Sequence, residues 1–395
     1  MFAALAAVYV YLAVRLPGGR DGMSDLHVYL GGVRALLQGG TPYDFVSFNG
    51  DRFVYPPFAG LVLVPLLVLS EPVLRVVWTL AQCAEVAVLA WMLVVRASHP
   101  ILTRASRASR AVAVPALACL LLVSTPVFTG LFLGQISLLI TALALLDALD
   151  LTPRRLRGVP LGLAAAVKLT PLAFVPYLWL TGRRRAAMVA TSTFVLASAL
   201  AWLVLPVSSR TFWGSMLTAP GFVNLAQFDN ASLQGLLARL EVVGSARSAV
   251  LVLGCGLVTL LAYRRGRRLY ASGEVLAGAV VVGAMAVLVS PVSWSHHQTT
   301  LVLAGLCLVS SRSGAANRLW VAVIFALMFL PLQVVGHRVW PEADLVTDNL
   351  VVLLALLVAC VLPFRAAPVD SERVRSGDSA TRQTSSAGLA ALRRG

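Results

Sequence analysis

The sequence predicts an all-α polytopic membrane protein. Of its 395 residues, 58% are hydrophobic and only 12% are charged, which is too little charge to cover the surface of a soluble domain. Apolar runs of about 20 residues, the length that crosses a bilayer as a helix, recur along the whole chain. These runs are continuously apolar rather than alternating, which argues against a β-barrel. We therefore expect about 12 membrane segments, with both termini in the cytoplasm.

The charge pattern indicates a lipid bilayer as the partner rather than nucleic acid. The formal net charge is +15, but the arginines cluster between apolar runs, as in cytoplasmic loops that contact anionic lipid. The sequence has no basic soluble domain with an aromatic platform. Its cysteines lie in or beside apolar runs without metal-ligand spacing, so we expect neither zinc sites nor disulfides. They are Cys83, Cys119, Cys255, Cys307 and Cys360.

The arginine-rich connections predict which ends of the spans are cytoplasmic, and the connections with few bases should lie on the opposite side. The first apolar run has no cleavage site and is expected to be a retained span. We predict one transmembrane domain over residues 1–365, with outer loops at 17–56, 206–246 and 335–346. A disordered cytoplasmic tail at 366–395 follows, because its Ser, Arg and Ala composition cannot form a core. The arginine-rich connections are 96–110, 152–158, 182–185, 264–268 and 311–318.

Two apolar segments do not fit as single spans. Residues 57–70 are followed at once by a full span at about 72–95 that ends in the cytoplasm, which makes 57–70 an interfacial or re-entrant helix. Residues 158–181 have arginines at both ends, and a single span cannot begin and end on one side. We expect two half-helices that meet near Lys168 and Pro171, because proline interrupts helical hydrogen bonding. The alternative is one long span with a positively charged outer loop.

This topology places four polar features on the same extracytoplasmic side. They are Asp25 after the first span, the turn at Lys168, the loop at 206–246, and the stretch SPVSWSHHQ at 290–298. Lys168 is the single lysine among the 32 lysines and arginines of the chain. Convergence of polar groups from distant parts of an apolar sequence predicts a functional site.

Asp25 is the candidate general base. It opens an amphipathic helix in the first outer loop, where an aspartate can cap the helix or deprotonate a hydroxyl group of an acceptor. Asp21, Asp44 and Asp51 are alternatives for the same role. No adjacent carboxylate accompanies Asp25, so a divalent metal site is weakly supported.

His296 and His297 are candidate catalytic residues beside Trp294 at a span boundary. They can belong to an interfacial belt, or they can line a polar cavity where an imidazolium binds phosphate or assists proton transfer. The sequence does not choose between the two histidines.

The remaining candidates are predicted to bind substrate. Amides donate and accept hydrogen bonds with sugar hydroxyls, although they also suit loop turns and helix interfaces. A lysine ammonium fits a lipid phosphate as a point charge, the alternative being a side chain that extends to the membrane interface. The candidates are Tyr29, Arg52, Tyr55, Gln135, Lys168 and Asn230.

The motifs, taken in order, resemble the bacterial family of polyprenyl-phosphate-mannose-dependent α-1,2-mannosyltransferases, glycosyltransferase family 87. The resemblance extends to about residue 364 and implies a GT-C fold, in a plasma-membrane enzyme that works outside the cytoplasm without a metal or other cofactor. By the logic of that family, the base falls on Asp25, and the histidine that contacts the donor phosphate or the reacting centre is His296 or His297. The motifs are SDLHVYLGGVRALLQGGTPYD, FVYPPFAGLVLVPL, LGQISLLITALALLD, GLAAAVKLTPLAFVPYLWLTGRRRAA, DNASLQGLL and SPVSWSHHQ.

The resemblance implies a hexosyltransferase that moves mannose from a polyprenyl-phosphate donor to a hydroxyl group of a glycolipid or glycan acceptor. One inverting displacement gives an α-1,2-mannoside, and Lys168 with one histidine neutralises the departing phosphate. One alternative is an arabinofuranosyltransferase with a polyprenyl-phosphate-arabinose donor. Another, of a different class, is a lipid or small-solute transporter, which a half-helix pair with an intramembrane lysine also suits. The lack of an internal repeat argues against the transporter.

Overall fold

The computed structural model describes residues 1–15, 22–96, 107–216, 224–310, 313–330, 332–339 and 341–364. Over these residues the chain is helical, and the extended pairing is an isolated bridge between Val46 and Arg52, which confirms the all-α prediction for this part. The predicted tail at 366–395 and the alternative base Asp21 lie outside the described residues.

The α-helices are numbered in chain order over the described residues. They are α1 Phe2–Arg15, α2 Ser24–Leu37, α3 Pro57–Leu63, α4 Glu71–Arg96, α5 Arg107–Leu122, α6 Thr125–Leu133, α7 Ser137–Ala148, α8 Val159–Val167, α9 Phe174–Leu180, α10 Arg184–Val204, α11 Pro206–Thr211, α12 Leu233–Arg239, α13 Gly244–Ala271, α14 Val275–Val289, α15 Thr299–Leu303, α16 Gly314–Phe329, α17 Leu332–Val339, α18 Asp344–Thr347 and α19 Leu350–Leu356.

Several of these helices have the length and composition of membrane spans. Among the described residues, four are long and apolar enough to cross a bilayer: α4, α10, α13 and the continuous stretch Asp344–Val361. The pair α5 and α6, bent by 70°, makes a fifth if it is one span, and six further apolar helices are shorter. Helices α10 and α13 leave most of their apolar surface uncovered, as lipid-facing helices do. The number of about 12 membrane segments remains a prediction.

The segment at 158–181 breaks where the lysine and proline predicted a break. Helix α8 ends at Val167, Lys168 is extended with φ −147° and ψ 128°, and a 3₁₀ turn at Thr170–Ala173 leads into α9. Pro171 occupies the first turn of that 3₁₀ helix, where its missing N–H leaves no internal hydrogen bond unmade. Two half-helices therefore replace the single span of the alternative interpretation.

The two half-helices also reverse direction. At the start of α8, the Asp147 carboxylate accepts the backbone N–H groups of Gly158 and Leu161 at 2.9 and 3.0 Å. Past the end of α9, Arg183 donates to the backbone carbonyl of the same Asp147 at 3.0 Å. Both ends of the segment are thus attached to the C-terminal end of α7, whereas Lys168 at its turn lies at the opposite, N-terminal end of α7.

Helix α2, in the first predicted outer loop, is attached to the turn between α6 and α7. The backbone N–H of Met23 donates to the carbonyl of Phe132 at 2.7 Å, and Gly134 sits in this turn with φ +69°. A Cβ atom on Gly134 would lie 2.9 Å from Cβ of Leu26, so only glycine allows α2 to approach this closely. This contact brings the first turn of α2 beside Gln135.

A second hydrophobic core supports the first predicted outer loop. Phe53, Tyr29 and Leu26 are fully buried in it and pack with Ala164 and Val167 of α8. Helix α3, within the segment predicted to be interfacial or re-entrant, packs against α2, α8 and α10 and continues as a 3₁₀ helix at Val64–Val68. The core joins the loop to the half-helix that ends at Lys168, which fixes the two relative to each other.

Candidate active site

Asp25 lies in the first turn of α2, but its carboxylate does not cap the helix. The N-cap residue is Met23, and it makes no side-chain cap. Instead, Oδ2 of Asp25 accepts a hydrogen bond of 2.6 Å from Nε2 of Gln135. Burial raises the pKa of Asp25 to about 6, against the opposing effects of the Gln135 hydrogen bond and the Lys168 charge. A carboxylate with such a pKa is ionised near neutral pH and still basic enough to take a proton.

The alternative bases are placed differently. Oδ2 of Asp44 accepts the backbone N–H of Thr41 at 2.6 Å and caps the short turn at Pro42–Asp44. Asp51 is exposed on the hairpin formed by Val46 and Arg52, and partial desolvation raises the pKa of its carboxyl. Arg52, predicted to bind substrate, is exposed on the same hairpin. Among these three candidate bases, Asp25 is the one whose carboxylate is hydrogen-bonded to Gln135.

Gln135 is the central group of the site. Its side chain is buried, and its Oε1 accepts hydrogen bonds from the hydroxyls of Tyr29, Tyr55 and Ser137 at 3.0, 3.1 and 3.1 Å. Three donors on the oxygen leave the amide nitrogen to face Asp25, which sets the orientation of the amide. The hydroxyls of Tyr29 and Tyr55 are also 2.9 Å apart. The network therefore presents a fixed donor to the carboxylate.

Lys168 continues the network on the other side of Ser137. Its Nζ donates to Oγ of Ser137 at 3.0 Å and lies 2.6 Å from Nε2 of His297. The ammonium also lies 5.3 Å from the centre of the Tyr55 ring, within the range of a cation–π contact. Because an ammonium has three protons, two hydrogen bonds leave one for an anionic ligand.

His297, rather than His296, contacts the lysine. An ammonium only donates, so Nε2 of His297 accepts, and the ring also makes a hydrogen bond to the backbone of Val292. Burial, together with the charge of Lys168, lowers the pKa of His297 well below its usual value. The geometry favours a neutral imidazole here, which differs from the imidazolium considered from the sequence.

His296 lies behind its neighbour. The two rings pack edge to face with centroids 4.3 Å apart, and His296 is buried, with no hydrogen-bond partner for either ring nitrogen in the described protein. The turn Ser295–His297 directs adjacent side chains to different environments, which the sequence alone does not show.

Asn230 joins two loops. Its Oδ1 accepts the backbone N–H groups of Ser293 and Ser232 at 2.9 and 3.3 Å, and its Nδ2 donates to the carbonyl of Leu225 at 2.9 Å. The side chain is completely buried. In this structure Asn230 supports the loop that carries the histidines, and a direct contact with substrate remains a prediction.

Six predicted residues thus form one hydrogen-bonded chain, completed by one residue that the sequence analysis missed. Ser137 connects the half of the site with Asp25 to the half with Lys168. Its position in the first turn of an apolar helix could have identified Ser137 from the sequence, because hydroxyl groups inside a membrane protein form hydrogen bonds with other polar groups. The six are Asp25, Tyr29, Tyr55, Gln135, Lys168 and His297.

A largely apolar cavity adjoins Lys168 and His297. Its walls include Ile140 and Leu145 of α7 and Val287 of α14. A cation in the wall of a largely apolar cavity is suited to an amphiphile with an anionic head group. The arrangement therefore combines a carboxylate, a cation and an apolar cavity in one part of the molecule.

Comparisons with known proteins agree with these features. The pattern of glycosyltransferase family 87 matches residues 53–291. The chain is 31% identical over 295 residues to a polyprenol-phosphate-mannose-dependent alpha-(1-2)-phosphatidylinositol pentamannoside mannosyltransferase of Mycolicibacterium smegmatis, covering 73% of this chain and 69% of that protein. It is 30% identical over 356 residues to a polyprenol-phosphate-mannose-dependent alpha-(1-2)-phosphatidylinositol mannoside mannosyltransferase of Mycobacterium tuberculosis, covering 83% and 81%. No solved structure matches the chain.

Proposed function

The chain belongs to glycosyltransferase family 87, and we propose that it moves mannose from a polyprenyl-phosphate donor to a hydroxyl group of a phosphatidylinositol mannoside. The observation that carries the proposal is the hydrogen-bonded chain from Asp25 to Lys168 beside an apolar cavity. It supplies a base for the acceptor and a cation for the leaving group within one site, as such a transfer requires.

Transfer proceeds by one displacement at the anomeric carbon. Asp25 takes the proton of the acceptor hydroxyl while the acceptor oxygen forms a bond to C1 of the mannosyl group. The bond between C1 and the phosphate oxygen breaks, and its electron pair stays on the polyprenyl phosphate. Attack from the face opposite the phosphate inverts a β-linked donor to an α-mannoside, and the proton ends on the carboxyl group of Asp25.

Lys168 stabilises the charge that develops on the phosphate. The ammonium has one proton left after its bonds to Ser137 and His297, and these two partners keep it in place without changes in solvation during the reaction. Apolar surroundings strengthen its attraction to the leaving group. Gln135 plays the corresponding part for Asp25, since it holds the carboxylate through a fixed amide.

The site is proposed to face the outer side of the plasma membrane. This placement rests on the arginine-rich connection at 152–158, which precedes α8, and on the reversal of α8 and α9 that carries Lys168 away from it. The donor then enters from the bilayer, and the acceptor approaches from the side of the outer loops.

The proposal is tested with purified protein in lipid nanodiscs, radiolabelled polyprenyl-phosphate mannose and defined phosphatidylinositol mannosides. Labelled glycolipid sensitive to α-mannosidase is expected, and its linkage is read by NMR. Asp25→Asn should lower transfer by about 10²- to 10⁴-fold, the usual contribution of a general base. The matched control is Asp51→Asn, which changes a carboxylate of the same loop and should keep transfer near the wild-type rate.

Each alternative has its own outcome. Full activity of Asp25→Asn, or loss of activity in Asp51→Asn, would show that the assignment of Asp25 as the base is wrong. Faster transfer from polyprenyl-phosphate arabinose than from the mannosyl donor would favour the arabinofuranosyltransferase. Movement of donor across the membrane of proteoliposomes without any transfer would favour the transporter.

A further inference from the structure

Ser293 is held rigidly in the loop that carries the histidines. Its backbone N–H donates to Oδ1 of Asn230 at 2.9 Å, and its carbonyl accepts the N–H of Ala231 at 2.8 Å. The side chain is only 1% exposed. Two backbone hydrogen bonds to one neighbouring segment fix the position of this residue independently of any side-chain contact.

The hydroxyl of Ser293, by contrast, has no hydrogen-bond partner in the described protein. Ser293 lines the same cavity as Lys168 and His297. Ser290 is a useful comparison, because it also lines the cavity but its hydroxyl donates to the carbonyl of Val292 at 2.8 Å. Buried hydroxyls are nearly always hydrogen-bonded, so an unpaired one beside a ligand cavity indicates that the ligand completes it.

The chemistry of the neighbouring groups indicates which part of the ligand would form a hydrogen bond with the Ser293 hydroxyl. Lys168 supplies the positive charge that a phosphate requires, whereas a serine hydroxyl is neutral and both donates and accepts. The groups of a sugar-phosphate lipid that also donate and accept are the hydroxyls of the sugar. We propose that Ser293 binds a hydroxyl of the donor sugar and is a specificity-determining residue for the mannosyl group, an inference that rests on the proposed function.

The test compares binding of two ligands that differ only in the sugar. Dissociation constants for polyprenyl-phosphate mannose and for sugar-free polyprenyl phosphate are measured by equilibrium competition in nanodiscs. Ser293→Ala should weaken binding of the mannosyl lipid by about 5- to 30-fold, the cost of leaving one buried sugar hydroxyl unpaired, and change binding of polyprenyl phosphate by less than twofold. Unchanged phosphate binding also shows that the variant is folded.

Two further variants complete the experiment. Lys168→Met should weaken both lipids, since both carry the phosphate. Ser290→Ala removes a hydroxyl that is already paired within the protein and should not alter the ratio of the two dissociation constants.

Equal weakening of both lipids by Ser293→Ala, or no change in the binding of either, would overturn the assignment. Because the readout is binding, it decides the role of Ser293 even if the wild-type protein fails to transfer mannose. Such a failure would count against the proposed function alone.

Discussion

Replacing Gln135 with glutamate tests whether the amide controls the base. The substitution keeps an oxygen for the hydroxyls of Tyr29, Tyr55 and Ser137, but it puts a second oxygen where the donor now lies 2.6 Å from Asp25. A hydrogen bond to a charged group contributes about 1.5–3 kcal/mol, and one pKa unit corresponds to about 1.36 kcal/mol. Its loss should therefore raise the pKa of Asp25 by about one to two units, and the new carboxylate adds to the rise.

The assay is the pH dependence of kcat/KM between about pH 5 and pH 9, a range that brackets the expected pKa values. Only the deprotonated form of Asp25 accepts the proton of the acceptor, so the wild-type rate should increase with pH through the pKa of about 6 and then level off. In Gln135→Glu the rising part of the profile should move to about pH 7–8 from the lost hydrogen bond alone and higher with the added carboxylate, because a higher pKa keeps the carboxyl protonated over that interval. Asp25 and the new glutamate titrate as a coupled pair, so the pH at which the rate rises gives an apparent pKa of the pair.

Gln82→Leu is the matched control. Nε2 of Gln82 donates to the backbone carbonyl of Gln135 at 2.7 Å and not to the carboxylate, so its loss should lower stability while the rising part of the profile stays near pH 6. A profile that stays in place in Gln135→Glu, or moves to lower pH, would refute the reasoning that Gln135 sets the basicity of Asp25.

Two further predictions concern the contact of His297 with Lys168 and the attachment of the start of α8 to Asp147. His297→Gln keeps a neutral acceptor for the ammonium, whereas His297→Lys places a second cation there, so the glutamine variant should retain more activity in the mannosyl-transfer assay. Greater activity of the lysine variant would show that a positive charge is needed at this position instead. Asp147→Ala removes the acceptor of two buried backbone N–H groups at the start of α8 and should lower the free energy of unfolding by about 2–4 kcal/mol, seen as a lower thermal midpoint in detergent. An unchanged midpoint would mean that water or another group satisfies those N–H groups.

Charge parity and one proline were sufficient to predict the reversal at 158–181. Arginines at both ends argued against a single span, Pro171 located the break, and the structure has both the break and the reversal. The approach of Asp25, Lys168 and His297 was likewise predictable, because polar groups in an apolar sequence have few places to be satisfied except together.

The partners within the site were not predictable from sequence. Gln135 and Asp25 are 110 residues apart, and their contact depends on the tight approach of α2 to Gly134. His296 and His297 cannot be distinguished in the sequence, and the backbone conformation of one short turn determines which of them contacts Lys168. The Asn230 amide is of a type that often binds sugar hydroxyls, yet in the folded chain it is hydrogen-bonded to neighbouring backbone groups.

The nine residues of α8 have a consequence for the shape of the bilayer around the protein. At 1.5 Å per residue, the helix rises only about 13.5 Å from its first residue to the break at Lys168, and α7 beside it has only 12 residues. The hydrocarbon region is about 30 Å thick, so with the start of α8 on the cytoplasmic side, as proposed above, we expect the ammonium to lie below the level of the outer head groups. A donor whose phosphate meets Lys168 must sink below its neighbours, and we expect the outer leaflet to be depressed at this cavity.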